Sequence, residues 1–170
     1  MTNVHNKYAM SYEEFAKHFY VEDGVLYRLT PTRKQKVGTA VGHKNDEGYL
    51  KVLFNGRSVP VHRIIFLLTH GYCSEVVDHI NGIKDDNRAE NLRAATNAQN
   101  IKNSKLSVRN KTGVKGVHAL KNGTGYQVYI SIDSKRKRFG TFKDIELAEL
   151  VAVEARAKYH GAFANNGVRL

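Results

Sequence analysis

Val76-Val77-Asp78-His79-Ile80-Asn81-Gly82-Ile83-Lys84-Asp85-Asp86-Asn87-Arg88-Ala89-Glu90-Asn91-Leu92-Arg93-Ala94-Ala95-Thr96-Asn97-Ala98-Gln99-Asn100-Ile101-Lys102-Asn103 is the stretch on which the reading of this chain turns. It opens with a short apolar run, Val76 and Val77, that ends in an acid and an imidazole, Asp78 and His79. Asn81-Gly82 and Asp85-Asp86-Asn87 have turn composition, with Asn87 read as a turn former. Leu92 to Thr96 returns as a second strand. Thr96 followed three residues on by Gln99 matches a capping box, so a helix is expected from about Asn97. Strand, loop, strand and helix thus follow within 28 residues. Asp78 and Asn100 then lie on different elements that can face each other, with His79 beside the acid. Two oxygen ligands and a histidine are the minimum for holding a hard divalent cation against a phosphate and activating a water.

The stretch resembles an HNH endonuclease of the homing branch in which the last motif residue is Asn rather than His. The resemblance rests on Asp78-His79, on Asn91 twelve residues after His79, and on Asn100 twenty-one after it. His62-Arg63 ahead of an apolar helix and Asn91-Leu92-Arg93 leading into Thr96 fit as well. The resemblance implies that His79 is the general base and that Asn91 braces the loop. It implies that Asp78 and Asn100 hold the metal, with Mg²⁺ expected and Mn²⁺ compatible with oxygen ligation.

Composition agrees with a polyanion partner. The formal net charge is +11, distributed as +3 over residues 1–75, +1 over 76–105 and +7 over 106–170. Such an excess is the electrostatic footprint of a nucleic-acid binder. At 170 residues and 41% hydrophobic, the chain can bury one modest core or two or three small ones. Cys73 is the single cysteine, which excludes an intrachain disulfide framework or a Cys-rich zinc site. No apolar run reaches the roughly 18 residues of a membrane span, and the N-terminus lacks a signal peptide's apolar core. Cytoplasmic localisation is the expectation, with no membrane and no obligate protein partner implied.

Upstream of the motif, Ser11 to Glu14 forms another capping box, with a short helix expected at about 12–18. Phe19 to Leu29 reads as a hairpin turning at Asp23-Gly24, and Thr30 to Val41 as a basic loop or weak strand. Tyr49–Phe54 and Arg57–Val61 make a second hairpin across Asn55-Gly56. A helix through Ile64–Leu68 ends at Gly71. His62 and Arg63 at its start are either phosphate contacts or structural residues under the hairpin. Arg93 is either a phosphate clamp or a surface strand charge. Asp85 and Asp86 read as loop carboxylates.

Downstream, the basic stretch Lys102–Lys111 reads as a linker laid along the DNA backbone, bounded as 106–111 between the two domains. Three strands follow at Gly113–Leu120, Tyr126–Ile132 and Arg136–Phe142. Asp144 then caps a helix that runs to about His160 and presents Ala148, Val151, Ala152, Ala155 and Tyr159 on one face. Period-two alternation sends Val128, Ile130 and Ile132 toward that helix and Gln127, Tyr129 and Ser131 outward. Phe139 points in, with Arg136 and Arg138 out. Residues 112–165 resemble the Apetala2-type DNA-binding domain, through Gly113-Val114-Lys115-Gly116-Val117, Phe139-Gly140-Thr141-Phe142, and Glu149–Tyr159 with His160-Gly161. The resemblance implies that the outer sheet face binds double-stranded DNA through Lys115, His118, Tyr129, Ser131, Arg136 and Arg138, with Gln127 on the same face. The chain has no Trp, one of the residues with which that family reads bases.

The expected fold class is α+β. An N-terminal β-hairpin region precedes a central strand-strand-helix metal finger, and a C-terminal three-stranded antiparallel sheet packs on one helix. The domain reading is 1–105 for the nuclease, 106–111 for the linker and 112–165 for the DNA-binding domain. The expected activity is metal-dependent hydrolysis of DNA phosphodiesters by a homing-type endonuclease. A non-catalytic DNA-binding regulator that kept the fold is the alternative, and an RNA substrate is also compatible with the residues.

Overall fold

In the computed structural model, residues 10–167 are described. The first nine residues, on which the expectation about a leader bears, lie outside that range. The class is α+β, and the chain divides into two compact units, Met1–Ala95 and Thr96–Leu170.

The first unit begins with α1, Tyr12–His18, whose Ser11 cap accepts from Glu14 N at 3.3 Å. Half of the expected capping box forms there. The Glu14 carboxylate instead accepts from Asn55 Nδ2 at 2.9 Å, so it ties the helix to a distant turn. β1 (Phe19–Glu22), β2 (Val25–Arg28) and β3 (Ala40–Val41) form one antiparallel sheet in that order. β4 (His43–Lys44), β5 (Leu50–Phe54) and β6 (Arg57–Pro60) form a second. Both hairpins turn where the sequence indicates: Asp23-Gly24 and Asn55-Gly56 all have positive φ, as the tight primed turns require. β4 is too short to leave a periodic signal, and its pairing with β5 is visible only in three dimensions.

Helix α2, Val61–His70, is the centre of this unit. It packs on β1, β5 and β6 and also on β7 (Val76–His79) and β8 (Leu92–Ala95). Its residues 61–67 are all buried, which is why the apolar run carries no polar face there. Phe15, Phe19, Leu26, Phe54, Ile64, Phe66, Val77 and Leu92 complete one continuous core. Gly71 stops the helix in the left-handed conformation and donates to Leu67 O.

The second unit contains α3 (Asn97–Lys102), with the expected reciprocal box between Thr96 and Gln99. β9 (Val117–Ala119), β10 (Tyr126–Ile132) and β11 (Lys135–Phe142) form a sheet ordered β11-β10-β9. α4, Ile145–His160, is capped by Asp144 and covers one sheet face through Ala148, Ala152 and Ala155. Val128 and Ile130 face that helix. Opposite them the register slips: Val128 pairs with Gly140 and Tyr129 with Arg138, so Phe139 is the extra residue of a β-bulge and packs against Tyr159.

The first strand of this unit is much shorter than the expected Gly113–Leu120. Asn110 and Thr112 capture that segment by hydrogen bonds to Val114 O, Val117 O and Gly113 N, which curls the chain before it can pair. The stretch read as a linker is likewise tied down, because Asn103 is buried and its carbonyl accepts from Asn165 Nδ2 at 2.9 Å. Lys115 therefore does not stand on the outer face. Its ammonium donates to the carbonyls of Lys102 and Ser104, and burial, then the nearby Arg156, pushes its pKa down to about 8. Arg156 is 1% exposed and was unforeseen as a core residue; it donates to Lys115 O and Asn166 Oδ1.

Gly116 has φ +82°, and a Cβ there would stand 2.8 Å from Tyr129 O, whereas Gly113, at φ +79°, has open space. Left-handed backbone alone costs a residue with a Cβ about 1–2 kcal/mol. Gly116→Ala is therefore expected to destabilise the second unit by at least about 1 kcal/mol more than Gly113→Ala, read from denaturant midpoints. Equal midpoints would show that the sheet yields at Tyr129.

Candidate active site

β7 and β8 pair with Asp78 opposite Arg93 and His79 opposite Leu92. Arg93 Nε donates to Asp78 Oδ2 at 2.8 Å, and Nη2 lies 2.8 Å from the same oxygen. The Asp78 side chain is 5% exposed and that of Arg93 16%. Breaking so buried a pair costs about 3–5 kcal/mol, because one charge is left uncompensated. Arg93 is thus the partner of Asp78, a contact that neither sequence alternative included.

His79 is also buried, and its Nε2 lies 2.9 Å from Asn87 Oδ1. Its ring meets that of His62 edge-on at 5.0 Å between centroids, and Tyr49 lies 6.0 Å away. His62 and Arg63, read from the sequence as either phosphate contacts or structural residues, are buried within α2. Arg63 donates to Glu75 O and Ser74 O, fixing the approach to β7. The His62 ring lies against Tyr49 and His79. Burial, then the neighbouring His79 and Arg63, pushes the His62 pKa down to about 3. Burial, then Glu47 and Asp78, raises that of the Tyr49 hydroxyl.

The loop between the strands is closed by Asn91. Its Oδ1 accepts from Asn81 N at 3.0 Å, while its Nδ2 donates to Asn81 Oδ1 at 3.0 Å and to Asp86 O at 2.7 Å. Asp86 accepts from Asn81 Nδ2 and from both Nε and Nη2 of Arg88. The Arg88 guanidinium holds its carboxyl well below the usual range. Asp85 is on the surface and pairs with Lys44.

Asn100 is exposed in α3, which belongs to the second unit. Also in that unit, Arg136 stacks over the Tyr129 ring at 4.1 Å and His118 meets the same ring edge-on. Tyr129 OH donates to Gln127 Oε1 at 3.3 Å, and Ser131 and Arg138 are exposed beside them. A single cationic and aromatic surface results. Asn87 and Tyr49 are the residues that sequence reasoning missed. Asn87 carries turn chemistry in its local sequence, and nothing nearby indicates that the loop folds back over His79.

Among the described residues no group of three or more His, Cys, Asp or Glu side chains is placed to cage a cation. A hard cation held by a single carboxylate would take its remaining ligands from water and phosphate, the usual manner of Mg²⁺. A carboxylate offers about four lone-pair positions, so an arginine on Oδ2 is compatible with a metal on the same group. No helix among the described residues is long and apolar enough to cross a membrane.

Residues 59–102 match the family model described as HNH endonuclease. The match runs from β6 through α2, β7 and β8 to α3, and so includes His62, Asp78, His79, Asn91 and Asn100. That segment is thus similar to HNH endonucleases, a family of nucleases that act on DNA. No curated protein and no solved structure matches the chain.

The buried His62 has a consequence for stability. The unfolded state binds a proton at a histidine near pH 6.5, while the folded state resists it down to about 3. Between those values the unfolded state holds more protons, so stability falls as pH falls, by about 1.4 kcal/mol per pH unit. His62→Phe is expected to flatten the pH dependence of the urea midpoint below about pH 6.5. An unchanged slope would place the acid sensitivity elsewhere.

Proposed function

We propose that this protein is a metal-dependent DNA endonuclease of the homing type. The observation that carries this reading is the pair of adjacent buried groups on β7. The Asp78 carboxylate is held by Arg93 and the His79 imidazole by Asn87, inside the segment that matches the HNH endonuclease family. His79 takes a proton from the attacking water, a contribution of about 10²–10⁴-fold. Asp78 supplies the anionic metal ligand. Asn100 is assigned as a neutral oxygen ligand by its place in the motif, and Asn91 fixes the loop that frames the histidine. Bound Mg²⁺, or Mn²⁺, would neutralise charge developing on the phosphate and on the leaving 3′ oxygen.

The second unit is proposed to hold the DNA, on its resemblance to the Apetala2-type domain and on the surface formed by His118, Gln127, Tyr129, Ser131, Arg136 and Arg138. A sheet face of this width fits a major groove. The stacking of Arg136 on Tyr129 orients the guanidinium without neutralising it.

Incubation of supercoiled plasmid with the protein, with Mg²⁺ and with chelator, tests the reaction. Nicked or linear product is expected only with metal. His79→Ala is expected to abolish the product while leaving DNA affinity within about two-fold, since the imidazole acts on water rather than on a groove. Cleavage by that variant at the wild-type rate would remove His79 from the mechanism, and unchanged intact plasmid with the wild type would favour a regulator.

The surface has its own test. Each phosphate contact contributes about 0.9 to the slope of log K against log salt. Arg136→Ala combined with Arg138→Ala is expected to flatten that slope by about 2 if both residues contact phosphate. A loss of affinity confined to one target sequence would make them base contacts, and an unchanged slope and affinity would take this face off the DNA.

A further inference from the structure

Asn87 is 2% exposed, more deeply buried than any other polar side chain in the β7–β8 loop. Its neighbours in the loop are accounted for: Asp86 binds Asn81 and Arg88, and Asn91 binds Asn81 and the Asp86 carbonyl. Asn87 makes none of those bonds. Its Oδ1 lies 2.9 Å from His79 Nε2, and its Nδ2 finds no hydrogen-bond partner among the described residues. A buried amide with an unmet donor stabilises a core less well than an apolar side chain of the same volume. Packing therefore does not explain it, while its contact with the imidazole does.

The geometry points to Asn87 as the positioning residue of the general base: its carbonyl oxygen accepts from His79 Nε2–H and makes Nδ1 the nitrogen that takes the proton from water. This assignment rests on the reading of His79 as the base. In the step, the water O–H bond breaks and its proton passes to Nδ1. The oxygen electron pair forms the new bond to phosphorus, and the bond from phosphorus to the 3′ oxygen breaks, its electron pair staying on that oxygen, which takes a proton from solvent water. The imidazolium so formed donates to Asn87 in a charge-assisted hydrogen bond, stronger than the neutral one that precedes it. Asn91 enters through the same contact, because its hydrogen bond to Asp86 O anchors the residue just before Asn87. Selecting a tautomer through the second ring nitrogen is a general device for histidine.

The test uses the full chain labelled with ¹⁵N-histidine, with long-range ¹H–¹⁵N spectra taken where the ring is neutral. The expected spectrum has a protonated Nε2 and an unprotonated Nδ1 at His79, in the wild type and in Asn87→Asp, which keeps an accepting oxygen. In Asn87→Leu the ring is expected to show mixed tautomers. Its kcat for plasmid cleavage should fall about 10–100-fold with KM for DNA unchanged, the usual size of an outer-partner loss, and Asn87→Asp should recover most of it. A wild-type ring protonated at Nδ1 overturns the assignment, as does Asn87→Leu with wild-type tautomer and kcat. If Asn87→Leu does not fold, the wild-type spectrum and the Asn87→Asp rate decide. A wild type that shows Nε2–H yet cuts no DNA refutes the nuclease reading and the base role with it, while leaving the hydrogen bond in place.

Discussion

The Asn91 side chain reaches across the β7–β8 loop to the backbone and side chain of Asn81 and to the carbonyl of Asp86. A two-stranded hairpin is marginal by itself, and a loop of this length has considerable entropy to lose on ordering. Here a single buried amide supplies the acceptor and the donors that a regular ladder would have supplied. With Asp86 held, Asn87 is brought over His79, where its Oδ1 lies 2.9 Å from Nε2. The candidate site thus depends on a group that touches no reacting atom.

Asp78 and Arg93 raise a second question of energetics. A buried ion pair seldom stabilises a fold more than a well-packed apolar pair would. Two charges on facing strands, with Val77 and Leu92 in the core beside them, are therefore poorly explained by stability. What the pair does achieve is a carboxylate held at a fixed point by a guanidinium on the facing strand. His62 and Tyr49 complete the surroundings on the imidazole side, with burial, the largest cause, pushing the His62 pKa down to about 3.

Cationic side chains serve two purposes in this chain, and net charge does not separate them. Arg63 and Arg156 are buried and donate to carbonyls, and Lys115 is half-buried and does the same. Arg136 and Arg138 remain exposed on β11, one of them stacked on Tyr129. The first group replaces missing secondary structure, closing segments whose carbonyls have no ladder partner. The second group is available to a polyanion.

Much of this was legible beforehand. The two Gly-containing hairpin turns, the Thr96 and Asp144 caps and the alternation along β10 are local devices, set by φ preferences and side chains a few residues apart. The Asp78-His79 pair and the spacing to Asn91 were equally visible, because a motif is read along the chain. The fates of His62, Arg63, Arg93 and Lys115 were not, since whether a cation meets water, a carboxylate or a carbonyl depends on residues 10 or more positions away. Asn87 is the clearest case. Its neighbours in sequence describe a turn, and only the closed loop, with Asn91 pinning Asp86, turns its amide inward onto the imidazole.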